Sequence, residues 1–479
     1  MDQEAIVQSI IASLPEITVL TAACLLLMLD LLFKRKRVAL IGYLSLAAVI
    51  MAALETWFLV LPMEAVYSGM FIADPFSTFF KMIFYLATGL CILASIHYIR
   101  VEEIEHSEYY VLLLFALCGM MILASAVDLI IIYAGLELMA LAVYVLTGFN
   151  RSNLHSNEAA LKYVILSALS SSILLYGISL IYGLTGTTQL GVVSDALKMQ
   201  AEFTPLLILA VIFLLAGFAF KVAAVPFHMW VPDVYQGAPT SITAFMSVGP
   251  KAVGFAVLLR IFLDALAPVQ EIWLNLVIVI ALATLTIGSL VALVQTNIKR
   301  MLAYSSIAHV GFALLGLIAG GAQGQASVML YLLIYCFMNM GVFSCVILMR
   351  GDEFKGEEIS DYTGLSQAYP GLALFMLIFL FALAGIPPTA GFFAKFYIFI
   401  ALIEQGYVAL AVIAILFSAV AAFFYIRVIM LMYMHKPERP FDITLSVPMR
   451  IALGVAGIAV IFIGIFPYWF LSLAQLAVT

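Results

Sequence analysis

Glu137, Lys221, Lys251 and Lys395 each stand inside a stretch that is otherwise apolar enough to be membrane-spanning helix. An ionised side chain near the centre of a bilayer costs at least about 2.5–3.5 kcal/mol, so it persists where a partner, a water-filled cavity or a transported ion offsets that cost. A carboxylate and three amines can each take up and release a proton. Four such groups in one polypeptide point to an ion path through the membrane.

The elements that must position them are helices. Of the 479 residues, 65% are hydrophobic and only 10% charged, against an apolar share of about 45–50% in soluble domains. This composition marks an all-α polytopic membrane protein. The net charge of -6 says little, because charge in such a chain is informative by location. Cys24, Cys91, Cys118, Cys336 and Cys345 fall within apolar runs without CxxC or Cys/His ligand spacing. They read as small buried hydrophobes, with no disulfide, zinc or iron–sulfur site expected.

A bilayer core needs about 20 apolar residues per helix. That ruler gives fourteen spans: 14–33, 38–61, 76–98, 108–126, 128–149, 157–185, 203–225, 239–263, 272–295, 299–319, 326–349, 369–404, 407–433 and 450–474. With the N-terminus outside, the inner loops collect Lys34, Arg35, Lys36, Arg37, Arg100, Arg151, Lys162, Lys299, Arg300, Arg350, Lys355, Lys436, Arg439 and Arg450, whereas the outer loops hold only Lys198. This positive-inside bias puts both termini on the outer side. The opening MDQEAIVQSIIAS has no basic n-region, so the first apolar run is expected to be kept as a helix.

Three basic residues inside spans have plain structural readings. Lys81 lies within snorkelling reach of the outer end of its span. Arg260 has Asp264 four residues on, the spacing of a helix ion pair. Arg427 lies near the inner end of the thirteenth span, within reach of headgroups. Lys221, Lys251 and Lys395 are different: at a rise of about 1.5 Å per residue, Glu137, Lys251 and Lys395 fall near the midplane.

Two spans look broken. The seventh runs into KVAAVPFHMWVPDVYQGAPT, with Pro226, Pro232 and Pro239, and the twelfth contains AGIPPTAGFFAKF, with Gly385, Pro387, Pro388 and Gly391. Proline frees backbone groups that lipid cannot satisfy, so each break needs protein or water around it. Paired breaks in corresponding halves are a mark of transporters built from repeats, although a simple packing kink is the competing reading of either break alone. Spans four to eight and nine to thirteen each have a broken fourth member, and because five is odd the second group is inverted. The expected organisation is three N-terminal helices in 1–107, a first five-helix repeat in 108–265, a second, inverted repeat in 266–434, and a loop with a C-terminal helix in 435–479.

FKVAAVPFHMWVPDVYQGAPTSITAF, SVGPKAVGFAVLLR, NIKRMLAYSSIAHVGF and AGIPPTAGFFAKFYIF, in this order and spacing, resemble the antiporter-like membrane subunits of respiratory complex I. VPDVYQGAPT, SVGPKAVG and NEAALKYVILSALSSS are similar to subunit N rather than to subunits L and M or the Mrp-type antiporters. The resemblance implies proton translocation along Glu137, paired with Lys221, then Lys251 and Lys395. Lysine at the last position matches subunit N and departs from subunit M, where glutamate is usual. By the same resemblance His309 falls where polar groups and water link the halves, although a histidine simply hydrogen-bonded in place would read the same. Lys162 is a candidate for proton uptake, with Ser167, Ser170, Ser171 and Ser172 nearby to hold water or to serve helix packing.

Burial disfavours a charged lysine and a nearby carboxylate favours it. Movement of Glu137 relative to Lys221 therefore changes how tightly Lys221 holds its proton, and pair separation would push a proton to Lys251 and on through His309 to Lys395. No dinucleotide or cluster motif is present, so no cofactor is expected in this chain. NADH, FMN, iron–sulfur clusters and quinone belong to the complex that the resemblance implies. The expected surroundings are other complex I membrane subunits, further antiporter-like ones included, the lipid bilayer, protons and water, and no nucleic acid. A Mrp-type or free-standing cation/proton antiporter, a structural spacer, and a plastid- or hydrogenase-type relative remain open at this point.

Overall fold

The protein is described from a computed structural model over residues 3–33, 37–59, 65–199, 203–350, 356–437 and 443–478. Lys34, Arg35, Lys36, Lys355 and Arg439, counted above among the inner basic residues, lie outside the described residues.

Local signals set the helix starts. Pro75 follows Asp74, whose side chain forms a reciprocal capping box with Ser77; the side chains of Asp128, Thr204 and Asn297 each accept a hydrogen bond from a first-turn backbone N–H and cap three further helices. In chain order the helices are α1 (Gln3–Ala12), α2 (Leu14–Phe33), α3 (Val38–Phe58), α4 (Pro75–Val101), α5 (Glu108–Ser125), α6 (Leu129–Thr147) and α7 (Leu154–Thr185). They continue with α8 (Leu190–Lys198), α9 (Pro205–Val222), α10 (Trp230–Gly237), α11 (Thr240–Leu259), α12 (Gln270–Leu293), α13 (Ile298–Ala319) and α14 (Gly321–Leu348). The last are α15 (Leu365–Ala368), α16 (Pro370–Ala384), α17 (Ala390–Glu404), α18 (Val408–Met434), α19 (Val447–Ile465) and α20 (Pro467–Leu476). Among the described residues, β contacts are confined to isolated bridges between loops.

Among the described residues thirteen helices are long and apolar enough to cross a membrane, and α16 with α17, of 15 residues each, make a fourteenth passage. Both expected breaks are present. α9 ends at Ala223 and α16 at Gly385, each in the left-handed region, with φ of +67° and +84°. α11, α13 and α14 are buried almost throughout, so the centre of the bundle is built from the helices that carry Lys251 and His309.

The runs α5–α11 and α12–α18 repeat one another in their connections. Leu129 N–H donates to Thr188 O at 2.9 Å and Leu190 N–H to Val127 O at 2.9 Å; Ile298 N–H donates to Glu357 O at 2.7 Å and Ile359 N–H to Thr296 O at 2.8 Å. Gly119 packs on the backbone of Met139, and Gly288 on that of Ala308. A Cβ added to either glycine would fall 2.6 Å or 2.4 Å from the facing amide nitrogen. Every corresponding pair has the same separation in sequence. Two five-helix runs thus share one folding pattern, and an odd number of crossings turns the second over relative to the first.

Four of the plain readings change. Lys81 does not snorkel: its Nζ lies 2.6 Å from Glu16 Oε1, with the side chains only 3% and 6% exposed, because α2 and α4 both pack against α3 and α5. Arg260 bonds Asp74 through Nη2 at 2.8 and 2.9 Å and Ala124 O through Nε at 3.1 Å, rather than Asp264. The backbone is π-helical over Arg260–Ala265, which changes the side-chain stacking that the four-residue spacing assumes. Arg427 turns inward and bonds Leu293 O and Gln295 O, satisfying carbonyls at the end of α12. Cys24 is exposed rather than buried, on a helix with one face uncovered.

The Lys81–Glu16 ion pair is a structural clamp for the N-terminal helices. Lys81→Ala leaves a buried carboxylate without its countercharge and is expected to cost about 3–5 kcal/mol, whereas Lys81→Met combined with Glu16→Leu should be close to neutral. Thermal unfolding midpoints of the detergent-solubilised protein check both, and equal loss in the two variants would contradict the clamp.

Candidate functional site

The first cluster forms where α9 ends. Lys221 is the penultimate residue of α9, 7% exposed, and its Nζ donates to Ser167 Oγ at 2.8 Å and to Ser171 Oγ at 3.2 Å, both on α7. Ser171 Oγ donates to Glu137 Oε1 at 2.6 Å. Glu137 and Lys221 are therefore joined through a serine hydroxyl rather than by direct contact. Tyr144 OH donates to Ser167 Oγ at 2.5 Å and completes the cluster. Ser167 and Ser171 share a helix face by their four-residue spacing, as do Glu137 and Tyr144 two turns apart. That spacing was legible; which helices would face each other was not.

Lys251 is the second centre. It is 2% exposed on α11, its Nζ donates to Ser306 Oγ of α13 at 2.7 Å, and it stands 5.7 Å from the centroid of the Tyr235 ring on α10. No hydrogen bond among the described residues joins Lys221 to Lys251. α10 links the two clusters mechanically: Trp230 Nε1 donates to Phe220 O beside Lys221, and Tyr235 underlies Lys251.

Lys395 sits in the first turns of α17 and reaches back across the break. Its Nζ donates to Ala384 O at 2.9 Å and Leu383 O at 3.2 Å, the carbonyls freed at the end of α16, and to Ser418 Oγ at 2.9 Å. A cation at a helix C-terminus is favoured by the backbone dipoles pointing at it. Gly385 leaves the passage open: a Cβ there would come within 3.1 Å of Lys395 Cδ.

His309 lies between two tyrosines, Nδ1 2.6 Å from Tyr331 OH and Nε2 3.3 Å from Tyr425 OH, and Tyr425 is also bonded to Ser305. Phe312 stands between His309 and Lys395, 6.3 Å from the histidine ring and 4.9 Å from Lys395 Nζ. The four tyrosines around this centre, Tyr235, Tyr331, Tyr335 and Tyr425, were not singled out from sequence. In a chain with 22 tyrosines their type alone gives no signal.

Lys162 stands apart from these clusters. It is 42% exposed at one end of the bundle, pairing with Glu158 and Asp233 at 2.8 Å each, while Arg300 shares Asp233 at 2.9 Å. His155, Glu158, Lys162, Asp233 and Gln236 line a cavity of about 120 Å³ there. A second cavity, of about 140 Å³, includes Glu102, Lys299, Glu357 and Thr240 in its lining, so it reaches the first residue of α11. Among the described residues no cluster of His, Cys, Asp and Glu has the grouping of a metal site. The chemistry on offer is proton binding and release by amines, hydroxyls, an imidazole and one carboxylate.

Residues 126–422 match the family described as NADH:quinone oxidoreductase/Mrp antiporter, transmembrane. The chain is 58% identical over 475 residues, 99% of both chains, to NADH-quinone oxidoreductase subunit N 2 of Rhizobium meliloti (strain 1021). It is 43% identical over 470 residues, 97% of this chain and 96% of the other, to NADH-quinone oxidoreductase subunit N of Trichlorobacter lovleyi. In three dimensions it is similar to a chain in the structure of respiratory complex I from Thermus thermophilus with bound aureothin, with a TM-score of 0.81 and 29% identity over 96% of this chain and 99% of that one. Shared fold, near-complete coverage and high identity agree: the chain belongs to the NADH:quinone oxidoreductase/Mrp antiporter family of membrane proteins, beside the subunit N proteins of that oxidoreductase.

Proposed function

We propose that this chain is a proton-translocating membrane subunit of an NADH:quinone oxidoreductase. The observation that carries the reading is the solvation of Lys221, Lys251 and Lys395. All three are buried, yet none is in an ion pair among the described residues; their Nζ atoms meet hydroxyls and backbone carbonyls instead. A lysine with a purely structural task is expected to be fixed in charge by a carboxylate, as Lys81 is by Glu16. Neutral dipoles accept hydrogen bonds from an ammonium and leave the amine free to exist without its proton, which a transfer site requires.

The path runs from Glu137 and Lys221 to Lys251, then by His309 to Lys395, with Lys162 as the uptake residue. A rearrangement at Glu137 that loosens the Ser171 bridge removes the carboxylate's support for a charged Lys221 and sends the proton onward. The working units are residues 108–265 and 266–434, flanked by three helices in 1–107 and by a loop and terminal helix in 435–479. The chain itself holds no cofactor in this reading. Redox chemistry with NADH, FMN, iron–sulfur clusters and quinone takes place in neighbouring subunits, which include further antiporter-like chains. The membrane is the inner, cytoplasmic one, with both termini on the periplasmic side, as the distribution of lysine and arginine favours.

Lys251→Ala in an assembled complex is expected to abolish most pumping and coupled NADH:quinone turnover, while native gels show normal assembly. Wild-type pumping by that variant would overturn the path. Ser171→Ala should lower the coupled rate at least about tenfold, since a hydrogen bond to a charged group is worth about 1.5–3 kcal/mol, and Ser171→Thr should restore much of it. Purified protein that migrates without redox subunits and exchanges protons for Na⁺ would favour a secondary antiporter instead.

A further inference from the structure

Between Lys251 and His309 the hydrogen-bond chain stops. Lys251 donates to Ser306 Oγ, but the single Ser306 hydroxyl proton is committed to Ala303 O at 2.7 Å, a backbone acceptor that passes nothing on. An ammonium carries three donors, and only one of those on Lys251 meets Ser306. His309 lies one turn further along α13, on the same face.

Two tyrosine hydroxyls flank this gap. Tyr235 and Tyr335 are 0% and 3% exposed, and both hydroxyls lie near the Ser306 side chain, but among the described residues neither OH meets a partner in full hydrogen-bond geometry. The ring of Tyr235 lies against Lys251 and the ring of Tyr335 against His309, 5.0 Å between centroids. Leaving a hydroxyl buried and unpaired costs about 1–3 kcal/mol, and phenylalanine would avoid that cost at nearly the same volume. Packing therefore gives no reason for tyrosine at either position. Tyr110, buried away from this segment, also has an unpaired hydroxyl, whereas that of Tyr109 is bonded to Ser95 and Ser241 and that of Tyr331 to His309; what sets Tyr235 and Tyr335 apart is their place between Lys251 and His309.

We infer that the hydroxyls of Tyr235 and Tyr335 form the proton relay between Lys251 and His309, directly or through ordered water held between them. This rests on the proton-transfer reading above. In each transfer the hydroxyl oxygen takes one proton and releases its own to the next acceptor, so the tyrosines end unchanged. Lys251 goes from ammonium to amine and His309 from imidazole to imidazolium, and the charge moves one station along. The polar groups at the ends of the segment are Ser306 and Lys251 on one side, and His309 with Tyr331 and Tyr425 on the other.

The test is the set Tyr335→Phe, Tyr235→Phe and their combination in the assembled complex, assayed in membrane vesicles for NADH-driven proton pumping and coupled turnover. Tyr109→Phe serves as a buried control away from this segment. The combination is expected to lower pumping at least fivefold, with normal assembly and a larger solvent deuterium isotope effect on turnover, while Tyr109→Phe stays within twofold of wild type. Pumping within twofold in the combined variant, with Lys251→Ala inactive, would overturn the relay and leave the proton-transfer reading standing. Failure of either phenylalanine variant to assemble would also overturn it, because it would give the hydroxyl's loose contact with Ser306 a structural role. Full pumping by Lys251→Ala would remove the proton-transfer reading itself.

Discussion

A lysine buried among apolar helices is tolerable only if fixed dipoles replace the water it has lost. The rest of the architecture follows from that requirement. Hydroxyls and freed carbonyls must converge on each amine at the centre of a bundle that is otherwise leucine, phenylalanine and alanine. Lys221 meets this with two serines one turn apart on α7, Lys251 with a serine on α13, and Lys395 with two carbonyls at a helix end and the hydroxyl of Ser418. The breaks supply part of the solution. A continuous helix would spend the Leu383 and Ala384 carbonyls on its own backbone; the stop at Gly385 turns them toward the amine of Lys395.

Charge is handled in two distinct ways within one chain. Lys81 with Glu16 and Arg260 with Asp74 are tight pairs, mostly enclosed, that tie α2 and the loop before α4 to the bundle. Separating either pair would strand a charge, which makes them stiff. Among the described residues the three lysines of the central clusters have no such partner in contact, and Glu137 touches its lysine through Ser171. A bridge of that kind breaks with the rotation of one hydroxyl. The contrast separates charges held in ion pairs from amines held by neutral dipoles.

The repeat gives this arrangement its directionality. One pattern of capping residues, loop bridges and glycine contacts is used twice, the second copy inverted relative to the first, and each copy contains a helix that stops partway. α10 continues from the first break and touches both halves, through Trp230 toward Lys221 and through the Asp233–Arg300 pair toward α13. α10 is thus the element in contact with α9, with Lys251 and with α13.

The sequence by itself determined the number of passages, the positions of both breaks, and the presence of Glu137, Lys221, Lys251, Lys395 and His309 inside apolar helices. Those depend on local quantities: the length of an apolar run, a rise per residue, and prolines and glycines that end a helix wherever they occur. It also carried the family, through motifs in a fixed order. The partners were decided by the tertiary structure. Ser171 between Glu137 and Lys221, Asp74 rather than Asp264 for Arg260, Glu16 for Lys81, and Tyr425 for His309 all come from helices distant in sequence. Helix periodicity fixes which residues share a face, but the pairing of faces arises only when the helices pack, and in a chain this apolar many pairings bury similar surface. The unpaired hydroxyls of Tyr235 and Tyr335 belong to the same class of fact, since a tyrosine is ordinary until its surroundings show that nothing binds it.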